Sequence, residues 1–240
     1  MPDRQTVIVT GASQGIGEAV VQAFLKRGYN VVATSRKVSK SGLTPSSNLA
    51  LVDGDIGDPA TAANVVKTAV AEFGSVDHVV NNAGIFAAKP FTEYTVEEFR
   101  RFVSTNLEGF IFITQSSVRQ MLAQGSGGSV TSITSSLVEN PIAGVSVSIP
   151  MITKGGLNAA TVNLASEYAK QQIRFNAVAP GIVDTPLHQD DPKDFLKTLS
   201  PMGTISEASD IAEAVLFLAE ARHITGEVLH VDGGAHAGRW

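Results

Sequence analysis

Residues 10–17, Thr-Gly-Ala-Ser-Gln-Gly-Ile-Gly, decide the fold of this chain. They follow the β-branched run from Thr6 to Val9 and precede a helical pattern of apolar residues that Gly28 closes. Glycine tolerates positive φ angles and lets the backbone approach a ligand closely. The first turn of a helix offers unpaired N–H groups and a partial positive charge, which stabilise a phosphate. A glycine-rich turn between a strand and a helix therefore predicts a phosphate-binding site.

The composition is typical of one compact domain that spans residues 1–240. Hydrophobic residues make up 43% of the chain and charged residues 17%, which argues against disorder. A net charge of −5 argues against a nucleic-acid surface. Cysteine is absent, which excludes disulfides, thiolate catalysis and Cys-ligated zinc. With neither a signal peptide nor a membrane-length apolar stretch in view, we expect a cytoplasmic protein that does not bind membranes.

Strand and helix patterns alternate along the whole chain. Strands are predicted at 6–9, 31–34, 49–52, 78–81, 129–133, 174–179 and 228–231, and helices at 59–73, 96–104, 107–122, 152–170 and 209–219. Strands rich in Val and Ile, each followed by a helix, indicate a parallel sheet covered on both faces. We therefore expect an α/β fold, a single Rossmann-type, doubly wound sheet of about seven strands with a ligand crevice at the strands' carboxyl ends.

Further motifs follow the glycine-rich turn in order: Asn81-Asn82-Ala83-Gly84, Asn106, the serines at 135 and 136, Lys154, and the segment 176–181 with Thr185 beyond it. In these motifs the chain resembles the short-chain dehydrogenase/reductase family in its short cytosolic form, from about residue 5 to residue 234. The resemblance implies a nicotinamide-dependent oxidoreductase that interconverts a carbonyl compound and an alcohol by hydride transfer. It also implies a homo-oligomer, a tetramer or dimer, assembled through helices around 106–121 and 152–168.

The resemblance implies a cofactor site at the strand ends. Its residues are Gly11, Ser13, Gln14, Gly15, Ile16, Gly17, Ser35, Arg36, Asp55, Ile56, Asn82, Ala83, Gly84, Lys154, Pro180, Gly181, Ile182 and Thr185. Asp55 is expected to contact the adenine together with Ile56. The acidic run 53–58 does not match a calcium loop, and the five histidines form no metal-binding pattern, so no metal is expected.

The residue that ends the second strand bears on the choice between the two nicotinamide cofactors. An acidic side chain there would bind a ribose diol and repel a 2′-phosphate. This chain has Ser35, followed by Arg36 and Lys37. A guanidinium can hold a phosphate with two hydrogen bonds. The sequence therefore favours NADP(H) over NAD(H), although Gln14 is neutral where phosphate-preferring relatives often carry a basic residue.

The catalytic tyrosine of the family is missing. In the family a tyrosine gives the proton, a lysine four residues later lowers its pKa, a serine polarises the carbonyl, and an asparagine holds a water. Lys154 matches the lysine, but Pro150 stands where the tyrosine is expected. The usual serine spacing lands on Leu137; Ser136 fits if the loop is one residue longer and Ser135 if it is two longer. The predicted catalytic residues are Asn106, Ser136 and Lys154.

Two hypotheses follow from this gap. The first is an oxidoreductase with another proton donor; the candidates are Ser146, Ser148, Thr153, His188 and a water ordered by Lys154 and Asn106. The second is a cofactor-binding protein without turnover that acts as a sensor or an assembly partner. Losing a positioned acid removes about 10²–10⁴ in rate, which slows hydride transfer without stopping it. We favour the enzyme because the family that the chain resembles is overwhelmingly enzymatic and Asn106, Ser136 and Lys154 are of the residue types that its reaction uses. The resemblance also predicts that Pro150→Tyr restores the donor.

A long polar segment is expected to cover the site. Residues 186–206 contain Pro192 and Pro201 and are long enough to form a lid over the crevice. The segment 39–48 also has the composition of a mobile loop. Because the lid is only modestly apolar, we expect a small or medium-sized carbonyl or alcohol substrate.

Overall fold

The computed structural model describes residues 4–238. Its main strands are β1 (Thr6–Thr10), β2 (Asn30–Ser35), β3 (Leu49–Asp53), β4 (His78–Asn81), β5 (Gly128–Ile133), β6 (Ile173–Pro180) and, near the carboxyl end of the chain, β9 (Val228–Val231). Two short strands, β7 (Val183–Asp184) and β8 (Ser206–Glu207), form a separate pair. The helices are α1 (Gly15–Arg27), α2 (Pro59–Phe73), α3 (Val96–Phe102), α4 (Gly109–Gln124), α5 (Ser148–Tyr168), α6 (Lys193–Lys197) and α7 (Ala208–Glu220).

The seven main strands form one sheet in the order β3-β2-β1-β4-β5-β6-β9, with every neighbouring pair parallel. The strand order reverses between β1 and β4, so the crevice outside their carboxyl ends is where a doubly wound sheet binds its ligand. This confirms the predicted Rossmann-type sheet. Successive residues of β1 face opposite sides: Val7 and Val9 pack on the face with α1 and α7, whereas Ile8 packs on the face with α2, α4 and α5.

Two helices differ from the prediction. The helix predicted at 152–170 begins four residues earlier, at Ser148, and ends at Tyr168 before a 3₁₀ turn. Pro150 is its third residue, a position where the missing N–H breaks no helical hydrogen bond. The helix predicted at 107–122 occupies Gly109–Gln124, and residues Val103–Glu108 form a π-helical stretch that joins it to α3. No helix within the described residues 4–238 is long and apolar enough to cross a membrane.

The predicted lid segment has structure of its own. It contains a 3₁₀ turn, Pro186–His188, and the short helix α6. The pairing of β7 with β8 brings the two ends of the segment together. An ion pair between Lys193 and Asp184 ties α6 to the same end. The segment is therefore a compact flap anchored at one edge, beside the carboxyl ends of the main strands.

Candidate active site

The glycine-rich turn is held against the end of β4. Gly11 has a φ of +65°, and a Cβ there would lie 2.8 Å from the Cα of Ala83. The Asn82 side-chain amide donates to the carbonyl oxygens of Thr10 at 3.0 Å and Gly11 at 3.1 Å. A Cβ on Gly17 would collide with the Gly11 carbonyl oxygen. This close packing requires glycine at both positions and fixes the turn in front of α1. Gln14, the residue before α1, makes no side-chain hydrogen bond that caps the helix.

The turn borders a cavity of about 520 Å³, here named the outer cavity. Its lining consists of Gly11, Ser13, Gln14, Thr34, Ser35, Arg36, Lys37, Gly54, Asp55, Ile56, Ala83, Gly84, Ile85 and Thr105. Nine residues of the predicted cofactor site lie in this lining, and the other five are Thr34, Lys37, Gly54, Ile85 and Thr105. The predicted residues reach it from the ends of four neighbouring strands, as expected for a crevice at the carboxyl edge of the sheet.

Two hydroxyl groups in the outer cavity have no hydrogen-bond partner among residues 4–238. The Oγ1 atom of Thr34 and the Oγ atom of Ser35 are buried without a hydrogen bond. A buried polar atom without a partner is costly, and a ligand group can satisfy it. Asp53 is the β3 residue in register with Ser35, but it is not in the cavity lining. Its carboxylate accepts a hydrogen bond from the Ser39 N–H at 2.9 Å, and the Ser39 hydrogen bonds lower its pKa.

A second cavity of about 210 Å³, the inner cavity, shares Gly84 and Ile85 with the outer one, so the two form one crevice. The rest of its lining is Ile16, Asn82, Phe86, Ile133, Thr134, Ser135, Met151, Lys154, Pro180, Gly181, Ile182, Val183, Thr185, Leu187 and His188. Seven further predicted residues lie here: Ile16, Asn82, Lys154, Pro180, Gly181, Ile182 and Thr185. Gly15 lines neither cavity, but a Cβ there would contact Thr185 at 3.4 Å.

Lys154 extends from α5 into the inner cavity. Its ammonium group donates a hydrogen bond to the Ile133 carbonyl oxygen at 2.6 Å. Burial, which disfavours the charged form, lowers the pKa of Lys154 to about 8. A Cβ on Gly84 would lie only 3.2 Å from the Lys154 Nζ atom. The glycine therefore leaves room for the ammonium group at the junction of the two cavities.

Asn106 lies behind the crevice rather than in it. The π-helical stretch carries it, and its side chain is buried. Its Oδ1 accepts from the Ile85 N–H at 2.8 Å, and its Nδ2 donates to the Ile85 carbonyl at 3.1 Å and to the Thr153 hydroxyl at 2.9 Å. The amide thus ties Ile85, which lines both cavities, to α5.

The structure places Ser135, rather than the predicted Ser136, at the inner cavity. Ser136 starts a short 3₁₀ helix, Ser136–Val138, and is 3% exposed, outside the cavity lining. Ser135 lies between the end of β5 and this turn, and its Oγ accepts from the Leu137 N–H at 3.3 Å. This is the alternative in which the loop is two residues longer than the family spacing. The sequence cannot distinguish the two serines, because the turn alone decides which one faces the cavity.

The structure also separates the candidate proton donors. Pro150 and Thr153 are buried, and the Thr153 hydroxyl donates to the Pro150 carbonyl at 2.8 Å. Ser146 and Ser148 are exposed and line neither cavity. His188 lines the inner cavity, and its Nδ1 lies 2.7 Å from an Asp191 carboxylate oxygen. Met151, three residues before Lys154, also lines the cavity; helical spacing could have identified it.

The described part of the chain, residues 4–238, holds no cluster of three or more His, Asp or Glu side chains that could bind a metal ion. His78 is buried in β4. Its Nδ1 lies 2.7 Å from the Ser129 hydroxyl. Burial lowers the pKa of His78 to about 4.

Comparison with known proteins agrees with this geometry. A family model described as enoyl-(acyl carrier protein) reductase matches residues 11–236. The L-rhamnose 1-dehydrogenase (NAD(P)(+)) of Sphingomonas sp. (strain SKA58) is 33% identical, over 97% of this chain and 96% of that protein. The ligand-free aldohexose dehydrogenase of Thermoplasma acidophilum superposes with a TM-score of 0.89 at 29% identity, covering 98% of this chain and 95% of that one.

A third relative was solved with a cofactor. The 3-ketoacyl-(acyl-carrier-protein) reductase from Brucella melitensis, complexed with NADH, gives a TM-score of 0.88 at 30% identity. The alignment covers 97% of this chain and 98% of that one. The matches span the whole crevice, from the glycine-rich turn to the strand β9. The chain therefore belongs to the short-chain dehydrogenase/reductase family and is a nicotinamide-dependent oxidoreductase that interconverts carbonyl and alcohol groups.

Proposed function

We propose that this oxidoreductase prefers NADP(H) and acts on a small or medium-sized carbonyl compound, or the corresponding alcohol, in the inner cavity. The observation that carries the proposal is the continuity of the crevice. It runs from the Ser35 end of the outer cavity, past Gly84, to Lys154 and Ser135 in the inner cavity. A dinucleotide bound along it brings one end to each cavity.

The residues of the outer cavity fit the phosphorylated form of the cofactor. The hydroxyls of Thr34 and Ser35, which have no partner among residues 4–238, can donate to a ligand, and Arg36 and Lys37 supply positive charge in the same lining. No carboxylate stands at the end of β2, and Asp53 is engaged by Ser39. Arg36 can hold a 2′-phosphate with two hydrogen bonds, and the opposite charges of the two groups strengthen both bonds. The glycine-rich turn and the first turn of α1 would hold the pyrophosphate.

The inner cavity supplies the groups that act on the substrate. When bound, the nicotinamide supplies or accepts a hydride. In this proposal the Ser135 hydroxyl donates a hydrogen bond to the substrate oxygen and stabilises the charge that develops there. Lys154 would hold ribose hydroxyls of the bound cofactor. Apolar side chains, among them Ile133, Met151 and Leu187, exclude water from the reacting atoms.

Asn106 has a positioning role in this proposal. Its amide makes hydrogen bonds to both backbone groups of Ile85 and to the Thr153 hydroxyl. The residue therefore sets the distance between the wall formed by Ile85 and the helix that carries Lys154. The alternative of a cofactor-binding protein without turnover is not favoured, because the relatives reported above are dehydrogenases and reductases.

The proposal includes a homo-oligomer in the cytoplasm. Four apolar side chains on α4 and α5 are between 42% and 54% exposed: Ile111, Leu122, Ile152 and Val162. A shallow hollow of about 260 Å³ lies between the same helices and is lined mostly by apolar residues. Exposed apolar patches of this kind mark protein interfaces. Pairing these two helices with a second copy of the chain is the contact that we expect in a dimer or tetramer.

The site assignment can be tested with the two neighbouring serines. The assay measures carbonyl reduction by NADPH over a panel of aldehydes, ketones and ketoacyl thioesters. Ser135→Ala should lower kcat/KM by one to two orders of magnitude, about 1.5–3 kcal/mol, the range of a hydrogen bond to a charged group. Ser136→Ala is the matched control and should leave kcat/KM within a few-fold. A reversed ranking, or no reduction of any carbonyl by the wild type, would contradict the proposal.

A further inference from the structure

We propose that His188, oriented by Asp191, is the catalytic acid that gives the proton to the substrate oxygen, in the position that a tyrosine fills in the family. This inference rests on the proposed function of the crevice. It places a catalytic residue on the flap, so that the flap takes part in the reaction as well as covering the substrate.

The His188 imidazole is held in place by its own turn and by a carboxylate. His188 ends the 3₁₀ turn Pro186–His188, and its N–H donates to the Thr185 carbonyl oxygen at 2.9 Å. The Asp191 carboxylate lies 2.7 Å from Nδ1, and the Asp191 N–H donates back to the His188 carbonyl at 3.3 Å. With Nδ1 directed at the carboxylate, Nε2 is the nitrogen left for the inner cavity. A carboxylate that fixes the tautomer and orientation of a histidine is a common arrangement for acid–base catalysis.

The inner cavity offers few groups that could act as an acid. Among its lining residues only His188 and Lys154 are titratable. The ammonium group of Lys154 is engaged with the Ile133 carbonyl oxygen at 2.6 Å. None of the three tyrosines lines the cavity, and the Tyr94 hydroxyl, for example, donates to the Ala87 carbonyl at 2.7 Å. His188 is therefore the side chain in this lining whose acidic proton is not committed to the backbone.

The proton balance is simple. As the carbonyl carbon gains a hydride, its oxygen takes the π electrons and becomes negatively charged. The Nε2–H bond of the His188 imidazolium then breaks, an O–H bond forms, and the electron pair of the N–H bond stays on the ring, which becomes neutral. Solvent returns the proton, since the His188 side chain is 17% exposed. In alcohol oxidation the neutral Nε2 accepts the hydroxyl proton instead.

The charged groups around His188 set the expected pH dependence. Asp191 is the group in direct contact, Asp190 follows on the same turn, and Lys154 faces the same cavity from α5. The nearby Asp184 and Lys193 neutralise each other in an ion pair. If His188 is the acid, the rate of carbonyl reduction falls at high pH because reduction uses the imidazolium, and the rate of alcohol oxidation rises because oxidation uses the neutral ring. If Lys154 were the acid, the rate of reduction would instead fall around pH 8, because burial lowers the pKa of its ammonium group to about 8.

The test compares His188→Gln and Asp191→Asn with His223→Gln, a control histidine that is exposed and lines neither cavity. His188→Gln removes the acid and should lower kcat/KM for carbonyl reduction by about 10²-fold, the low end for a positioned acid. It should also abolish the alkaline limb of the pH–rate profile, the fall in rate at high pH. Asp191→Asn should cause a smaller loss, about tenfold, because Asp191 is half-exposed and acts through the ring. NADPH affinity, measured by fluorescence titration, should stay unchanged in all three variants.

Nitrogen-15 NMR of the imidazoles, recorded without cofactor, gives a readout that does not depend on turnover. The neutral form of His188 should carry its proton on Nδ1, and Asp191→Asn should remove that preference. An Nε2–H tautomer in the wild type would overturn the proposal, and so would an active wild type whose His188→Gln variant keeps its full rate and its alkaline limb. A wild type that reduces no carbonyl would overturn the proposed function and this inference together. An active wild type with an unimpaired His188→Gln variant would overturn this inference alone.

Discussion

Replacing Arg36 with alanine should change which nicotinamide cofactor the protein prefers. Arg36 directly follows β2, is exposed, and lines the outer cavity. Within residues 4–238 its guanidinium forms no salt bridge. The substitution therefore leaves no buried partner unpaired, and we expect the free energy of unfolding to change by less than about 0.5 kcal/mol.

The magnitude for the cofactor follows from the exposure of Arg36. A charge-assisted hydrogen bond contributes about 1.5–3 kcal/mol, and an exposed group lies at the low end because water screens it. A loss of about 1.5 kcal/mol weakens NADPH binding about tenfold. NADH has no 2′-phosphate, so its affinity should change less than about twofold. The ratio of the two dissociation constants is thus the quantity that the substitution moves.

A second substitution changes the preference from the other direction. Ser35→Asp places a carboxylate at the end of β2, where the Oγ of Ser35 is buried without a partner. Two like charges about 4 Å apart repel by about 4 kcal/mol at an effective dielectric constant of 20. NADPH binding should fall by at least a hundredfold, while NADH gains an acceptor for its ribose hydroxyls.

The assay is a fluorescence titration of each protein with NADPH and with NADH at one ionic strength. Lys40→Ala is the matched control, since Lys40 is an exposed cation in the same loop and does not line the outer cavity. It should leave both affinities unchanged. Equal affinities of the wild type for the two cofactors, or an equal loss of both in Arg36→Ala, would refute the assignment of this cavity to the 2′-phosphate.

Three further predictions concern the catalytic helix, the flap and the buried histidine. Met151→Tyr puts a phenol in the inner cavity and should restore part of the reduction rate that is lost in His188→Gln. Pro150→Tyr instead overpacks a buried site, so it should lower the free energy of unfolding by about 1–3 kcal/mol without any gain in rate. Hydrogen exchange measured by mass spectrometry should show residues 186–206 more protected with NADPH and a bound alcohol than without them, and equal protection would rule out a ligand-ordered lid. His78 has a folded-state pKa of about 4, below its unfolded value, so the folded protein binds fewer protons and stability falls as the pH drops below about 6.5. Between pH 8 and pH 5, urea denaturation should show the wild type losing about 2 kcal/mol more than His78→Gln, whereas equal losses would contradict this linkage.

The sheet could be predicted from the sequence because its strands are buried on both faces. Runs such as Val7-Ile8-Val9 and Val31-Val32-Ala33 are apolar without alternation, and all three residues of each run are fully buried. Glycine and proline then mark where each connection turns. The predicted strands coincide with the main sheet to within one or two residues at each end.

Short and irregular elements could not be predicted. The β7–β8 pair has two residues per strand, too few to show any periodicity. The sequence predicts one helix that ends at 104 and another that begins at 107, whereas the π-helical stretch Val103–Glu108 joins α3 to α4 without a break. Its wider turn matters for the site, because it carries Asn106 to the position where the amide bonds both backbone groups of Ile85.

Some residues of the candidate site could likewise be predicted from the sequence, and others could not. Most of the predicted residues of the glycine-rich turn and of the strand ends line the crevice, since each belongs to a contiguous motif at a fixed place in the fold. Their role in binding the cofactor stays a prediction. The choice between Ser135 and Ser136 depends on one 3₁₀ turn, and the contact of His188 with Asp191 depends on the path of the flap. Such contacts come from loop geometry, which spacing along the chain does not specify.

Transfer of deuterium from reduced nicotinamide tests the central claim most directly. The protein is incubated with NADPH deuterated at the transferable position and with each carbonyl of the panel, and the products are analysed by mass spectrometry. We predict an alcohol that carries one deuterium on its carbinol carbon, formed at a higher rate by the wild type than by His188→Gln or Ser135→Ala. Binding of NADPH without deuterium in any product would contradict the account and identify the chain as a cofactor-binding protein without turnover.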